Sequence, residues 1–106
     1  MIYGGAIKDA YLLTITDLDG AMFVYGTIVY DTSGRFKAGD WISTSNLYEI
    51  REVKDGFAAI TQNCIYFIEG YNSLDIPWQA VENIRTGTNP VLALKLIDGT
   101  KEINIG

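Results

Sequence analysis

The chain has 106 residues, of which 48% are apolar and 20% charged, and its formal net charge is −5. This length suits one domain with its own core, so we expect a single β domain over residues 1–106. The basic residues are scattered singly, which argues against a nucleic-acid partner, and no apolar run approaches the roughly 18 residues of a membrane span. A single cysteine, Cys64, and an N-terminus without a secretory pattern predict a cytoplasmic protein with no internal disulfide.

The first predicted element is a β-hairpin whose tip is Asp19-Gly20, joining YLLTITD to AMFVYGTIVY. Asp-Gly pairs adopt the positive φ angles of tight hairpin turns. Alternation in the second strand predicts that Val24 and Phe23 lie on opposite faces of the sheet. Gly26 interrupts this strand and predicts a bulge or a bend.

A second predicted hairpin turns at Asp55-Gly56 and joins NLYEIREV to FAAITQ. A further turn is predicted at Gln62-Asn63, because Asn tolerates the left-handed region of φ/ψ space. The run IYFI that follows is short and continuously apolar, which is typical of a central strand covered on both faces.

The C-terminal third is predicted to contain one short helical turn and a last hairpin. The helical turn lies near residues 76–81, with Asp75 as its cap and Pro77 near its first position. The hairpin joins VLALKLI to KEINI through Asp98-Gly99.

Together these elements predict an all-β fold, a small barrel or sandwich of antiparallel hairpins. Residues 39–87 carry the order GDWISTS, two strands meeting at Asp55-Gly56, a third strand, and DIPWQAVENI. This order resembles the plan of small SH3-like barrels, in which one helical turn precedes the last strand. The resemblance covers about half of the chain and implies an architecture rather than a function, because no specific motif accompanies it.

The side-chain inventory predicts a protein that is not an enzyme, with no catalytic residue, metal site or cofactor. Histidine is absent, which excludes Ser-His-Asp and Cys-His sites within this chain. One cysteine is too few for a zinc site, and Cys64 is interpreted as a small core residue. The sequence TDLDG begins like a calcium loop but continues into apolar residues, so it is interpreted as a turn.

Four aromatic residues fall at predicted strand ends or loops and are the candidate binding surface: Trp41, Tyr48, Tyr71 and Trp78. Tyrosine and tryptophan are common at half-buried surfaces because each combines an apolar ring with a polar tip. The group either lines a groove or a subunit interface, or covers the open ends of a barrel.

The predicted function is a non-catalytic interaction domain that forms homo-oligomers through strand edges or an aromatic surface, because exposed edges need covering. One alternative is a small-molecule-binding barrel with a pocket lined by Trp and Tyr. Another is an acidic accessory protein of a mobile element or phage, which predicts one continuous patch of carboxylates.

Overall fold

The computed structural model describes the backbone of residues 2–105 and the side chains of residues 2–97. This part of the chain forms seven strands followed by two helices. In chain order they are β1 (Ile2–Ile15), β2 (Ala21–Asp31), β3 (Trp41–Ser43), β4 (Leu47–Val53), β5 (Gly56–Thr61), β6 (Cys64–Ile68), β7 (Tyr71–Ile76), α1 (Trp78–Arg85) and α2 (Pro90–Ile105).

Strand β1 is the centre of a mixed sheet because it pairs with three other strands. It pairs with β2 in antiparallel orientation, and its first and second halves pair in parallel with β6 and β7 respectively. The strand order is β3-β2-β1-β6-β5-β4, with β7 beside β1. Within residues 2–105 the edge strands β3 and β4 do not pair, so the sheet stays open. The fold is mostly β, as predicted, but the prediction of a closed SH3-like barrel of antiparallel hairpins is wrong.

Two of the three predicted Asp-Gly hairpins are confirmed. Asp19 and Gly20 have φ angles of 52° and 74° between β1 and β2, and Asp55 has a φ of 67° between β4 and β5. The predicted turn at Gln62-Asn63 is also present and connects β5 to β6. Strand β6 lies between β1 and β5 in the sheet. Local turn chemistry was therefore a sound guide over residues 11–68.

The predicted hairpin at Asp98-Gly99 is wrong, because the backbone of both residues lies within α2. The helix begins at Asn89-Pro90, where the Asn89 side-chain oxygen accepts a hydrogen bond from the Val91 N–H at 2.9 Å. Asn as cap followed by Pro at the first helical position is a typical helix start. The Leu, Ala and Lys residues that follow are good helix formers, which explains why this segment is helical.

Helix α1 is longer than the single turn predicted near residues 76–81, and it is capped differently. Asp75, the predicted cap, lies in the strand Tyr71–Ile76 and does not cap the helix. Pro77 is the N-cap residue of α1, and its side chain forms no capping hydrogen bond. Instead, the Trp78 N–H donates to the carboxylate of Asp17 at 3.1 Å.

Two apolar cores lie on opposite faces of the sheet, and neighbouring residues of β2 alternate between them as predicted. The inner core, enclosed by the curved sheet, contains Ile7, Ala10, Val24, Ile28, Ile42, Leu47, Ala59, Tyr66 and Ile68. The helix core, between the sheet and the two helices, contains Leu13, Ile15, Phe23, Tyr25, Ile76, Ala80, Ile84 and Ala93. The helices thus cover the half of the outer face formed by the second half of β1 and the first half of β2.

The sheet is irregular where the two halves of its outer face meet. The register of β1 with β2 shifts between Lys8 and Tyr11, and Asp9 takes a φ of 52°. A Cβ at Gly26 would lie 2.4 Å from the Ile7 Cγ2 atom, so the strands approach closely at this point. The irregularity predicted at Gly26 is present, but the bulge lies in β1, where Asp9 and Ala10 stand opposite Gly26. A bulged strand bends, and we call this point the bend.

Candidate functional site

The other half of the outer face carries apolar side chains that no described helix side chain covers. Ala6 pairs with both Tyr30 of β2 and Phe67 of β6, and Phe67 pairs with Ala58 of β5. Directly paired residues share a face of the sheet, so these residues form a row across it. A second row contains Tyr3, Ile65 and Ile60. We call the two rows the open face: Tyr3, Ala6, Tyr30, Ala58, Ile60, Ile65 and Phe67.

Two tyrosines form the most exposed part of the open face. Tyr3 is 44% exposed and Tyr30 is 48% exposed, and their ring centroids lie 6.3 Å apart. Their hydroxyl groups hydrogen-bond to each other. Burial and this hydrogen bond raise the pKa of Tyr3 to about 12, so the Tyr3 hydroxyl is neutral at physiological pH.

A cavity of about 460 Å³ opens beside these tyrosines and extends the open face towards the bend. Its walls are Ala6, Ile7, Lys8, Val29, Tyr30, Phe67 and Glu69. The cavity therefore combines an apolar aromatic floor with one cation and one anion. Neither Lys8 nor Glu69 forms an ion pair with another described side chain.

The β4 edge of the open face is bounded by an ion pair. Glu49 pairs in the sheet with Ile60, and Arg51 with Ala58, so both lie beside the open face. The Arg51 Nε donates to a Glu49 carboxylate oxygen at 3.0 Å, and this hydrogen bond raises the pKa of Arg51. The open face is thus apolar in its middle and charged at its margins, the usual anatomy of a protein interface.

The four aromatic residues predicted as a binding surface have different neighbours. The Tyr71 ring meets the Phe57 ring at 5.2 Å, and the Trp41 ring stacks on the Tyr25 ring at 6.2 Å. Tyr71 and Trp41 line separate cavities of about 300 and 360 Å³. No ring contact among the described side chains joins any two of the four.

Trp78 and Tyr48 are the most exposed members of that predicted set. Trp78 is 58% exposed at the start of α1, and Tyr48 is 63% exposed on the edge strand β4. Neither side chain lines the cavities of about 190, 300, 360 and 460 Å³ that the described residues form. Their role in binding stays a prediction.

The Trp41 ring is held in place by the Tyr25 ring and by the backbone at Gly87. It lies nearly parallel to the Tyr25 ring, at an interplanar angle of 14°. The buried Tyr25 hydroxyl donates to the Gly87 carbonyl at 2.9 Å, and burial raises the pKa of Tyr25. A Cβ at Gly87 would lie 3.0 Å from the indole, so the loop after α1 contacts the edge of the Trp41 ring.

Cys64 lies half-buried against the inner core and lines a cavity of about 190 Å³ with Tyr66. Burial and the neighbouring Cys64 raise the pKa of Tyr66 to about 12. The Thr61 hydroxyl, which also lines this cavity, donates to the Cys64 carbonyl at 2.7 Å. Among the described residues, no group of three or more His, Cys, Asp or Glu side chains is placed to hold a metal ion.

Sequence reasoning missed the open face, although its signal was present in IYFI. The run was interpreted as a strand covered on both sides, and Tyr66 and Ile68 do face the inner core. Ile65 and Phe67 alternate with them and point to the uncovered side. An apolar run in a central strand shows that both faces are apolar, but not that the same chain covers both.

Comparisons with known proteins do not assign the chain to a family. No family model, no curated protein and no solved structure matches the chain. Neither helix in residues 2–105 is long and apolar enough to cross a membrane.

Proposed function

We propose that this protein is a non-catalytic interaction domain that self-associates through the open face. The observation that carries the proposal is the half of the outer face that no described helix side chain covers, where Tyr30 and Phe67 line a cavity of about 460 Å³ and Tyr3 contacts Tyr30. Contiguous apolar surface of this kind costs free energy in water, and its burial drives association. Tyr and Phe are also residue types enriched at interfaces.

A second copy of the chain is the partner that fits the charges. Lys8 and Glu69 line the same cavity wall and carry opposite charge. In a twofold dimer the same surface meets itself, so Lys8 of one copy can face Glu69 of the other. A margin that carries both signs is complementary to itself, whereas a margin of one sign would repel a second copy.

The experiment is size-exclusion chromatography with light scattering across a concentration series. We expect the natural chain to form dimers, and Tyr30→Lys to shift the equilibrium to monomer by placing a charge in the apolar middle of the face. Leu18→Lys is the matched control, because it adds the same charge at an exposed apolar side chain of the β1–β2 turn, which is not part of the open face. Circular dichroism and thermal unfolding test whether both variants keep the fold.

A charge exchange tests the twofold arrangement. Lys8→Glu alone and Glu69→Lys alone each place like charges across the interface and weaken dimerisation, and the double exchange restores it. A natural chain that stays monomeric at high micromolar concentration contradicts the proposal. Equal effects of Tyr30→Lys and Leu18→Lys also contradict it, because the added charge would then act irrespective of its place.

A second candidate function, a small-molecule binder, is favoured by the Trp41 cavity of about 360 Å³. Its aromatic walls are Phe36 and Trp41, whereas the alternative predicted a pocket lined by Trp and Tyr in a barrel. A cytoplasmic location and the accessory role of an acidic phage or mobile-element protein stay predictions, and the open face supports neither.

A further inference from the structure

We propose that the Trp41 cavity binds a methylated ammonium group, carried by a small metabolite or by a modified lysine side chain. The cavity is lined by Phe36, Asp40, Trp41, Ile42 and Ser43 and encloses about 360 Å³. This inference gives the small-molecule alternative a ligand class and does not depend on self-association through the open face.

The two aromatic rings supply the attraction for a cation. The face of an aromatic ring is negative, and indole is the strongest such partner among the side chains. Trp41 retains 43% exposure even though Tyr25 stacks on it. The Tyr25 stack and the backbone at Gly87 fix the indole before any ligand arrives, which lowers the entropy cost of binding.

The Asp40 carboxylate supplies the charge that selects a cation over a neutral apolar group. One of its oxygens accepts the Lys37 N–H at 2.9 Å, which orients the carboxylate. The other oxygen forms no hydrogen bond with a described residue. No lysine or arginine side chain lines this cavity, so Asp40 is the charged residue of its wall.

The Phe36 ring already accepts a cation from within the chain. The Arg35 guanidinium lies 5.4 Å from the Phe36 ring centroid. Arg35 lines the neighbouring cavity of about 190 Å³ and is not part of the wall of the Trp41 cavity.

The test is tryptophan fluorescence in a Trp78→Phe background, where Trp41 is the only indole. We expect choline to produce a saturable change in Trp41 emission. 3,3-Dimethyl-1-butanol has the shape of choline with carbon in place of the charged nitrogen, and we expect no saturable change from it. Equal binding of the two compounds overturns the proposal, because it shows an apolar pocket without charge selection.

Asp40→Asn keeps an oxygen acceptor for the Lys37 N–H but removes the charge, and it should weaken choline binding about tenfold. Glu52→Gln removes one negative charge at an exposed position of β4 and is the matched control. Equal weakening by both variants overturns the proposal, since only the net charge would then matter. No saturable response to choline and to a trimethyllysine peptide also overturns it.

The trimethyllysine peptide separates the two sources of the group. Tighter binding of the peptide assigns the cavity to a modified protein, and tighter binding of choline assigns it to a metabolite. Light scattering on the same samples follows the oligomeric state independently. Loss of choline binding with dimers intact, or the reverse, shows which of the two proposals has failed.

Discussion

The carboxylate of Asp17 caps helix α1 by accepting the backbone N–H of Trp78 at 3.1 Å, across 61 residues of chain. The first residues of a helix have N–H groups without partners inside it, and Pro77 cannot supply an acceptor from its side chain. The β1–β2 turn therefore supplies the N-terminal cap of α1, and this contact ties the turn to the helix.

We expect Asp17→Ala to lower the free energy of unfolding by about 1 kcal/mol, the usual cost of losing a helix cap. Urea unfolding followed by circular dichroism measures it. Asp75→Ala is the control, because Asp75 is an exposed carboxylate of β7 close in sequence to the helix and does not cap it. Equal losses in the two variants would show that the Asp17 contact does not stabilise the helix.

Gly26 permits the close approach of β1 and β2 at the bend. An added Cβ would lie 2.4 Å from Ile7 Cγ2 and 2.9 Å from the Lys8 carbonyl oxygen. We expect Gly26→Ala to cost about 1–3 kcal/mol, as overpacking of a buried site does. Gly70→Ala adds the same methyl group at a position with open space around it, and thermal unfolding of the two variants should differ clearly.

Arg85 joins α1 to the β3–β4 connection as a half-buried cation. Its guanidinium lies 3.9 Å from the centroid of the buried Phe23 ring and donates a hydrogen bond to the Thr44 carbonyl. Burial lowers the pKa of Arg85, but its usual value is so high that the group stays charged. Its aromatic and carbonyl partners offset part of the cost of burying that charge.

We expect Arg85→Met, which keeps the apolar stem, to lower the free energy of unfolding by about 1–2 kcal/mol. Arg51→Met removes the exposed arginine of the Glu49 ion pair and should change the stability less, because an ion pair in water contributes little. Urea titrations of both variants test the difference. An Arg85→Met protein as stable as the natural chain would show that the cation contributes nothing net.

Tyr66 makes the fold sensitive to alkaline pH. Burial raises its pKa from 10.0 to about 12, so the unfolded chain releases the phenol proton at a lower pH than the folded chain does. Between about pH 10 and pH 12 the folded state holds more protons than the unfolded state, and stability falls as pH rises. Below pH 10 the contribution of Tyr66 is fully present.

Tyr66→Phe should reduce the slope of unfolding free energy against pH over this window, while Tyr3 and Tyr25 keep part of it. Tyr48→Phe, at an exposed position, is the control. Urea unfolding at pH 8, 10 and 11 gives the slopes. An unchanged slope in Tyr66→Phe would show that its phenol ionises alike in both states.

The sequence by itself determined the features that depend on a few adjacent residues. The turns at Asp19-Gly20 and Asp55-Gly56 follow from the φ angles that these pairs favour. The opposite facing of Phe23 and Val24 follows from the two-residue period of a strand. Neither feature needs knowledge of which strand lies next to which.

Only the tertiary structure decided the partners of β1 and the fate of the last segment. A strand does not encode whether its neighbour is parallel, so the pairing of Ile2–Ile15 with β6 and β7 was not predictable from hairpin signals. The run VLALKLI is compatible with a strand or a helix. In the structure it is helical, and Ala93 packs in the helix core. The side chains of residues 2–97 cover one half of the outer face and not the other, because burial depends on the whole tertiary arrangement and not on local pattern.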